Sequence, residues 1–268
     1  MADENSVDHY GASYGNFASD LAAQIRREAF GEDIGQNGWQ TADEQDIFIQ
    51  WLKLSASSRL LDFACGAGGP ALRICETTGA RVDGIDIDAR AIAAGRAMAG
   101  ERNLADRVAF HVGDGGSRLP FGDATFNAVI SIDAVNHIPD RAAMFAEWRR
   151  VLKPGGVALF TDPAVITGPI SGEELRIRSS IGSFLFTPPG ADESFLKAAG
   201  FALIERLDRT ANMGRSARGR QTARARHEAD LCKLEGEATF ERQQIFFETA
   251  ARLAEEGRLS RIAFLARS

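Results

Sequence analysis

One stretch decides the fold of this chain: Arg59-Leu-Leu-Asp-Phe-Ala-Cys-Gly-Ala-Gly-Gly-Pro-Ala71. Leu60 and Leu61 lead a short apolar run of the kind that forms a buried strand. Glycines follow at once, and Pro70 suits the first turn of a helix, where its missing N–H leaves no bond unmade. A strand, a glycine turn and a helix in this order predict the first half of a nucleotide-binding α/β unit.

The glycine turn is compatible with two kinds of ligand. Gly66, Gly68 and Ala71 satisfy the dinucleotide pattern G-x-G-x-x-A, and Asp86 follows Gly66 by twenty residues, as in nicotinamide or flavin sites. Against a dinucleotide, Asp62 points negative charge to where a pyrophosphate would lie, and the proline removes one donor that would hold it. A nucleoside with cationic groups and no phosphate tolerates both features, and S-adenosylmethionine is such a ligand.

The same residues resemble motif I of the class I S-adenosylmethionine-dependent methyltransferases, which reads acidic-x-Gly/Ala-x-Gly-x-Gly. Asp62, Ala64, Gly66 and Gly68 fit this motif in register, with Ala64 at a position where glycine is commoner. The segment Val151-Leu-Lys-Pro-Gly-Gly156 is similar to the family's turn before the fifth strand. The resemblance implies methyl transfer from S-adenosylmethionine. It also implies a fold and a set of site residues.

The implied fold is α/β: a Rossmann-like, doubly wound, mostly parallel seven-stranded sheet with the last strand antiparallel, plus a helical lid and insertion. Alternating apolar runs and helical stretches independently predict a parallel sheet covered on both faces. We expect an N-terminal helical lid in residues 1–55, a cofactor-binding core in residues 56–162, and the rest of the core with substrate-cap insertions in residues 163–268. Thr41 and Glu44 have the spacing of a capping box at one helix start.

Four acidic residues fall at the ends of the first four predicted strands: Asp62, Asp86, Asp114 and Asp133. Open parallel sheets bind ligands beyond the carboxyl ends of their strands. Each acid alone is equally well explained as a loop or N-cap residue, but their joint occurrence favours a ligand site.

The resemblance also implies a set of cofactor contacts. Asp86 matches the acid that binds both ribose hydroxyls, because a carboxylate accepts two hydrogen bonds. Ile87 would pack on the adenine, and Asp114 matches the acid near the adenine amino group. The cofactor-binding residues predicted in this way are Asp62, Ala64, Gly66, Gly68, Asp86, Ile87, Gly113, Asp114, Gly115, Ser131 and Trp39.

The segment Gln36-Asn-Gly-Trp-Gln-Thr41 resembles the N-terminal segment that covers the cofactor in such enzymes. Trp39 either stacks on the methionine part of the cofactor or on the substrate, with cation–π attraction to the sulfonium, or anchors its loop to the core. Tyr10 and Tyr14 are the only tyrosines of the chain, and both lie in the predicted lid. A phenol in this lid can face the methyl donor in related enzymes.

Residues that would contact the methyl acceptor lie in the lid, after the fourth strand and in the insertions. His137 is the candidate catalytic residue, since a neutral imidazole can take a proton from a substrate near neutral pH. Its other explanation is packing against the top of the sheet. Phe184 and Phe246 offer apolar walls, with packing of the insertion as the alternative role. The predicted substrate-binding residues are therefore Tyr14, His137, Phe184 and Phe246.

Five arginines form a local basic run: Arg215, Arg218, Arg220, Arg224 and Arg226. Such a run is either a solvated helix face or a site that recognises a carboxylate or phosphate on the substrate. The sequence does not decide between these two hypotheses.

The composition argues against several other classes of protein. The formal charge of −6 and a pI near 5.4 argue against a dedicated nucleic-acid binder. Three scattered cysteines suit neither a disulfide framework nor a zinc site, so we expect no metal. No apolar run reaches the length of a membrane span, and the acidic N-terminus lacks a signal core, so a cytoplasmic location is expected.

The sequence thus predicts an enzyme that transfers a methyl group from S-adenosylmethionine to N, O or C of a small molecule by in-line displacement. Two alternatives stay open: a nicotinamide- or flavin-dependent oxidoreductase with the same glycine turn, and a methyltransferase-like protein without catalysis. The acceptor, the need for a general base and the oligomeric state are not decided by the sequence.

Overall fold

A computed structural model describes residues 13–116, 118–180, 182 and 184–268 of the chain. Within them, seven strands form one sheet: β1 (Arg59–Phe63), β2 (Arg81–Asp86), β3 (Val108–Val112), β4 (Phe126–Ser131), β5 (Leu152–Ile166), β6 (Ala202–Asp208) and β7 (Leu259–Arg267). Their order across the sheet is β3-β2-β1-β4-β5-β7-β6. The first five pair in parallel, and β7 runs antiparallel between β5 and β6. The predicted seven-stranded sheet with an antiparallel last strand is confirmed.

Helices cover both faces of this sheet. They are α1 (Asp20–Phe30), α2 (Ala42–Leu52), α3 (Gly69–Thr78), α4 (Ala89–Glu101), α5 (Arg141–Val151), α6 (Gly172–Arg178), α7 (Ala191–Ala198), α8 (Thr210–Arg226), α9 (Glu228–Glu235) and α10 (Glu237–Glu255). Along β1, Leu60 joins the apolar core on one face, while Leu61 and Phe63 join the core on the other. A strand buried on both faces explains why the run reads as continuously apolar rather than alternating.

The predicted capping box at Thr41 is wrong. Helix α2 does begin after Thr41, but the Thr41 side chain accepts no hydrogen bond from the helix start. Glu44 is fully buried instead, and its carboxylate accepts hydrogen bonds from Arg209, Asn212 and Arg261. The carboxylate therefore serves a buried ion pair rather than the helix terminus.

A buried cation ties the N-terminal part of the chain to the centre of the sheet. Arg261 of β7 is fully buried and donates to Glu44 of α2 and to Asp133 after β4, each at 2.6 Å. Asp133 also accepts from the backbone N–H of Trp39 at 2.7 Å. Burial alone would lower the pKa of Arg261, but the two carboxylates raise it, so the guanidinium stays charged.

No helix of the described residues combines the length and the apolar character that a membrane span requires. The same residues also bring together no group of three or more His, Cys, Asp or Glu that could hold a metal ion.

Replacing Arg261 with methionine should strongly destabilise the fold, because two buried carboxylates lose their cation. Breaking a buried pair in this way costs about 3–5 kcal/mol of the free energy of unfolding. Urea denaturation of R261M against the unchanged protein measures the loss. The control is R176M, which removes an exposed pair with Glu173 and should leave stability unchanged. Equal stability of R261M and R176M would contradict this interpretation.

Candidate functional site

The glycine turn after β1 has the backbone conformation that its residues predict. Ala64, Gly66 and Gly68 all adopt positive φ, at +54°, +55° and +73°. The carboxylate of Asp86, at the end of β2, accepts a hydrogen bond from the N–H of Gly66 at 2.8 Å. Two neighbouring strands thus hold the turn, and Asp86 keeps further lone pairs for a ligand.

The N-terminal part of the chain lies directly on this turn. The loop between α1 and α2, residues 31–41 and here called the lid loop, packs its backbone against Gly69. A Cβ on Gly69 would overlap the carbonyl oxygen of Ile34 and the backbone of Gly35. A Cβ on Gly66 would overlap the hydroxyl of Tyr14. The glycines therefore permit a close approach of the backbone to whatever covers the turn.

A cavity of about 60 Å³ lies between the lid loop and the turn. It is lined by Tyr14, Gly35, Gln36, Asn37, Gly38, Gln40, Asp62, Ala64, Cys65, Gly66, Ala67, Pro70, Ile74, Ile130 and Ile132. Ligand pockets usually measure about 300–1,000 Å³. The cavity alone therefore accommodates only a part of a nucleoside ligand, and the exposed strand ends beside Asp86 lie outside its lining.

Asp62 presents a buried carboxylate to this cavity. It is 5% exposed, and no described residue donates a hydrogen bond to it. Burial, helped by the nearby Asp86, raises the pKa of Asp62 to about 8. A cationic ligand group placed here would restore the ionised form. Burial and both carboxylates also raise the pKa of the Cys65 thiol well above its usual value, which favours the thiol over the reactive thiolate.

Gln40 of the lid loop also lines the cavity, and the sequence analysis missed it. The residue is 1% exposed, and neither its amide nitrogen nor its amide oxygen has a hydrogen-bond partner among the described residues. Buried amides in proteins are nearly always hydrogen-bonded. An amide without a partner at a cavity wall is therefore a candidate ligand contact, with both a donor and an acceptor to offer.

Apolar side chains are exposed beside Asp86, at the carboxyl ends of β2 and β3. Ile87 is 72% exposed and Val112 is 54% exposed. Gly113 follows Val112 and donates its N–H to the backbone oxygen of Asp86 at 2.9 Å, which holds the two strand ends together. An exposed apolar pair next to a carboxylate is compatible with the base and the ribose of a nucleoside, and the contacts of Ile87 and Asp86 stay predictions.

Asp114 and Gly115 continue the loop after β3. Asp114 is exposed, and its carboxylate accepts a hydrogen bond from the N–H of Gly116 at 2.8 Å. Gly115 packs so closely on the Phe63 ring that a Cβ there would overlap it. Asp114 therefore follows β3 at the same edge of the sheet as Asp86, and its contact with the adenine amino group stays a prediction.

Two predicted positions at the end of β4 have other roles. Ile130 and Ile132 line the cavity, whereas Ser131 between them is completely buried and is absent from the cavity wall. Because side chains alternate along a strand, Ser131 faces away from the cavity. Asp133 is engaged by Arg261 rather than directed at a ligand. Of the four strand-end acids, three therefore lie at the candidate site, at the carboxyl ends of β1, β2 and β3, and the fourth, Asp133, belongs to the buried ion pairs of Arg261.

Trp39 lies next to the cavity in sequence but not in its wall. Its ring is 6% exposed and stacks on Phe246, with 6.2 Å between ring centroids. The edge of Phe247 meets it at 6.1 Å. Together with the hydrogen bond from its N–H to Asp133, this packing matches the loop-anchoring role rather than stacking on a cofactor.

Three of the four predicted substrate residues belong to one aromatic cluster. His137 meets Phe184 edge-on at 4.7 Å between ring centroids, and Phe184 lies 6.5 Å from Phe246. The buried guanidinium of Arg178 lies 4.5 Å from the centroid of the Phe246 ring and 5.2 Å from that of Phe184. Cation–π contacts of this kind stabilise the cluster.

Tyr14 is the fourth, and it lies apart, over Gly66 at the cavity. Tyr10 falls outside the described residues. Asn136, beside His137, is fully buried, and its amide atoms have no hydrogen-bond partner among the described residues. Sequence reasoning missed Asn136 as it missed Gln40, because nothing in the local pattern distinguishes either amide.

Comparison with known proteins gives a consistent family. Residues 60–156 match a methyltransferase domain. The chain is 30% identical over 194 residues to 27-O-demethylrifamycin SV methyltransferase of Amycolatopsis mediterranei. The aligned region covers 68% of this chain and 71% of that protein. It is 30% identical over 222 residues to a sterol 24-C-methyltransferase of Gibberella zeae, covering 76% of this chain. The chain spans 57% of the length of that sterol enzyme.

Among solved structures, the cyclopropane synthase MmaA2 from Mycobacterium tuberculosis superposes with a TM-score of 0.82. The match covers 99% of this chain and all of that chain, at 18% sequence identity. At this level of identity the likeness concerns the fold alone.

Changing Ala64 to glycine should stabilise the protein. A side chain in the left-handed region costs about 1–2 kcal/mol, which glycine avoids at some entropic cost to the unfolded chain. We expect the free energy of unfolding to rise by about 1 kcal/mol, measured by urea denaturation. The matched control is A97G, at an exposed position in the middle of α4, which should lower it by about 1 kcal/mol. If A64G lost stability as A97G does, the strain at Ala64 would be refuted.

Proposed function

The chain belongs to the class I S-adenosylmethionine-dependent methyltransferases, and from this premise we propose that it methylates a small molecule. S-adenosylmethionine, the cofactor of the family, supplies an activated methyl group that passes to N, O or C of the acceptor by in-line displacement. The protein's own task is then to position the reactants and exclude water. The curated relatives support a small-molecule acceptor, since their names specify a sterol and a rifamycin.

The observation that carries the proposal is the pair of polar groups in the cavity beside the glycine turn. Asp62 offers a buried carboxylate that a cation would ionise, and Gln40 offers a buried amide without a partner. The methionine part of the cofactor carries both an ammonium and a carboxylate. We assign the ammonium to Asp62, the remaining contacts of the methionine part to Gln40, and the ribose hydroxyls to Asp86.

A dinucleotide fits these residues less well. Its pyrophosphate would lie at the turn beside the buried Asp62, whose raised pKa leaves it ionised only when a cation is near. A phosphate repels the ionised carboxylate where little water screens the charges, whereas the ammonium of S-adenosylmethionine stabilises it. The nicotinamide or flavin oxidoreductase therefore stays the disfavoured alternative.

The acceptor side of the proposal rests on the aromatic cluster. His137 is proposed to accept a proton from the acceptor where the reaction releases one, and Phe184 and Phe246 to wall the acceptor. The division into a lid (1–55), a cofactor core (56–162) and a substrate-capped remainder (163–268) belongs to the same proposal. A cytoplasmic location and the exclusion of nucleic acid remain predictions from composition.

Calorimetric titration with S-adenosylmethionine and with NAD tests the function directly. We expect saturable binding of S-adenosylmethionine and none of NAD. In D86A the affinity for S-adenosylmethionine should fall by about 1.5–3 kcal/mol, because charge-assisted bonds to the ribose are lost. The control D106A makes the same change in the exposed loop before β3, at the amino ends of the strands and away from the site. This variant should bind S-adenosylmethionine normally. Tight NAD binding, or an unchanged dissociation constant in D86A, would sink the assignment.

Replacing Gln40 with leucine separates a ligand contact from a structural role. Leucine removes a buried amide that has no partner, so the ligand-free protein should keep or gain stability in thermal unfolding. Binding of S-adenosylmethionine should nevertheless weaken about tenfold, the equivalent of about 1.4 kcal/mol. A variant that binds S-adenosylmethionine as tightly as the unchanged protein would show that Gln40 does not contact the cofactor.

A further inference from the structure

The structure divides the arginine run of α8 between two surfaces. Arg215 is exposed, and Arg218 and Arg226 pair with carboxylates of neighbouring helices near the surface. These three form the solvated face. Arg220 and Arg224 point the other way, into a cavity enclosed by α1, α8, α9 and α10.

This second cavity has a volume of about 100 Å³ and a positive lining. Its polar lining consists of three arginines, one carboxylate and three amide residues: Arg26, Arg220, Arg224, Glu235, Asn16, Asn37 and Gln243. Leu21, Ile25, Phe30, Leu231 and Phe247 supply apolar walls. The volume suits a small charged group with a short apolar attachment, well below the size of a drug-like ligand.

Arg220 is the cation of this cavity that lacks a carboxylate partner within the described residues. Its Nη2 donates to the backbone oxygens of Asn37 at 2.7 Å and Gly38 at 3.2 Å. Burial, with the like charges of Arg26 and Arg224, lowers the pKa of Arg220 to about 10. An anion in the cavity would relieve this repulsion and use the guanidinium edge that the two carbonyls leave open.

Two further groups in the lining have unused hydrogen-bonding capacity. Arg224 is 7% exposed and pairs with Glu235, yet its Nε has no partner among the described residues. Gln243 is 5% exposed, and its side chain forms no hydrogen bond within the described part of the chain. Arg26, by contrast, is satisfied by Asp33 and a backbone oxygen. The groups with unused hydrogen-bonding capacity therefore lie on α8 and α10 and line the same cavity.

We propose that this cavity binds the carboxylate or phosphate of a small molecule, held by Arg220 and Arg224 and oriented by Gln243. Guanidinium groups bind such anions through paired, charge-assisted hydrogen bonds. The apolar walls select an anion that carries a short hydrocarbon portion.

The cavity adjoins the cofactor cavity through the lid loop. Asn37 lines both, and Arg220 holds the carbonyls of Asn37 and Gly38. Given this contact between the two cavities, the anion has two sources to distinguish, and the distinction between them rests on the proposed function. The anion is either a group of the methyl acceptor itself or a separate effector that acts through the lid loop.

Calorimetric titration of the whole chain with inorganic phosphate and with butyrate tests the site. The unchanged protein should bind at least one of them, and R220Q should bind it at least tenfold more weakly. The matched control is R218Q, a change on the solvated face of the same helix, which should bind normally. Absence of binding to the unchanged protein, or equal binding by R220Q, would overturn the proposal.

Because R220Q also loses bonds to the lid loop, a second variant works in the opposite direction. E235Q removes the carboxylate that competes for Arg224, so it should bind the anion several-fold more tightly, which structural damage cannot produce. Weaker or equal binding by E235Q would contradict the site. Titration of the same variants with S-adenosylmethionine shows separately whether the proposed function fails. S-adenosylmethionine with a labelled methyl group distinguishes the two sources of the anion. Label that appears in the bound carboxylate identifies it as the acceptor. A changed rate of methyl transfer, with no label in the carboxylate, identifies an effector.

Discussion

The buried ion pairs of Arg261 are the constraint on which the arrangement of the site depends. Arg261 comes from the last strand, Asp133 from the loop after β4 and Glu44 from the start of α2, and each side chain is at most 4% exposed. A charge in such a place is stable only while its partners stay within reach. The network therefore determines where the lid loop meets the sheet, and with it the shape of the cavity over the glycine turn.

The same network shows which parts of the fold a sequence can predict. The strands and the turn around Leu60 and Gly66 follow from local patterns, since apolar runs and glycines act over a few residues. The capping box at Thr41 failed because Glu44 pairs with Arg261, which lies 217 residues further along the chain. A local motif cannot register a partner at that distance. The antiparallel last strand was implied by family resemblance, because its apolar pattern alone does not give direction.

The same distinction between local pattern and tertiary packing applies to the residues of the site. Asp62, Gly66 and Asp86 were found from sequence because the carboxyl ends of parallel strands meet at one edge. Gln40 was missed and Trp39 was placed at the cofactor, although the structure buries Trp39 outside the cavity and includes Gln40 in the cavity wall. Which of two adjacent loop side chains faces a ligand depends on packing against α8 and α10. That information lies in the tertiary structure and not in the spacing of residues.

The lid loop is the element that these interactions share. Within four consecutive residues, Asn37 and Gly38 accept hydrogen bonds from Arg220, Trp39 donates to Asp133, and Gln40 faces the cofactor cavity. The cofactor cavity is bounded by Tyr14 and the lid loop, so the position assigned to the methionine part of the cofactor borders the lid side of the site. A guanidinium that bound an anion on one edge and the lid carbonyls on another would couple the occupancy of the two cavities. Linkage makes such coupling reciprocal. If the two sites are coupled in this way, a ligand of the arginine cavity and the methyl donor must each change the affinity for the other by the same factor.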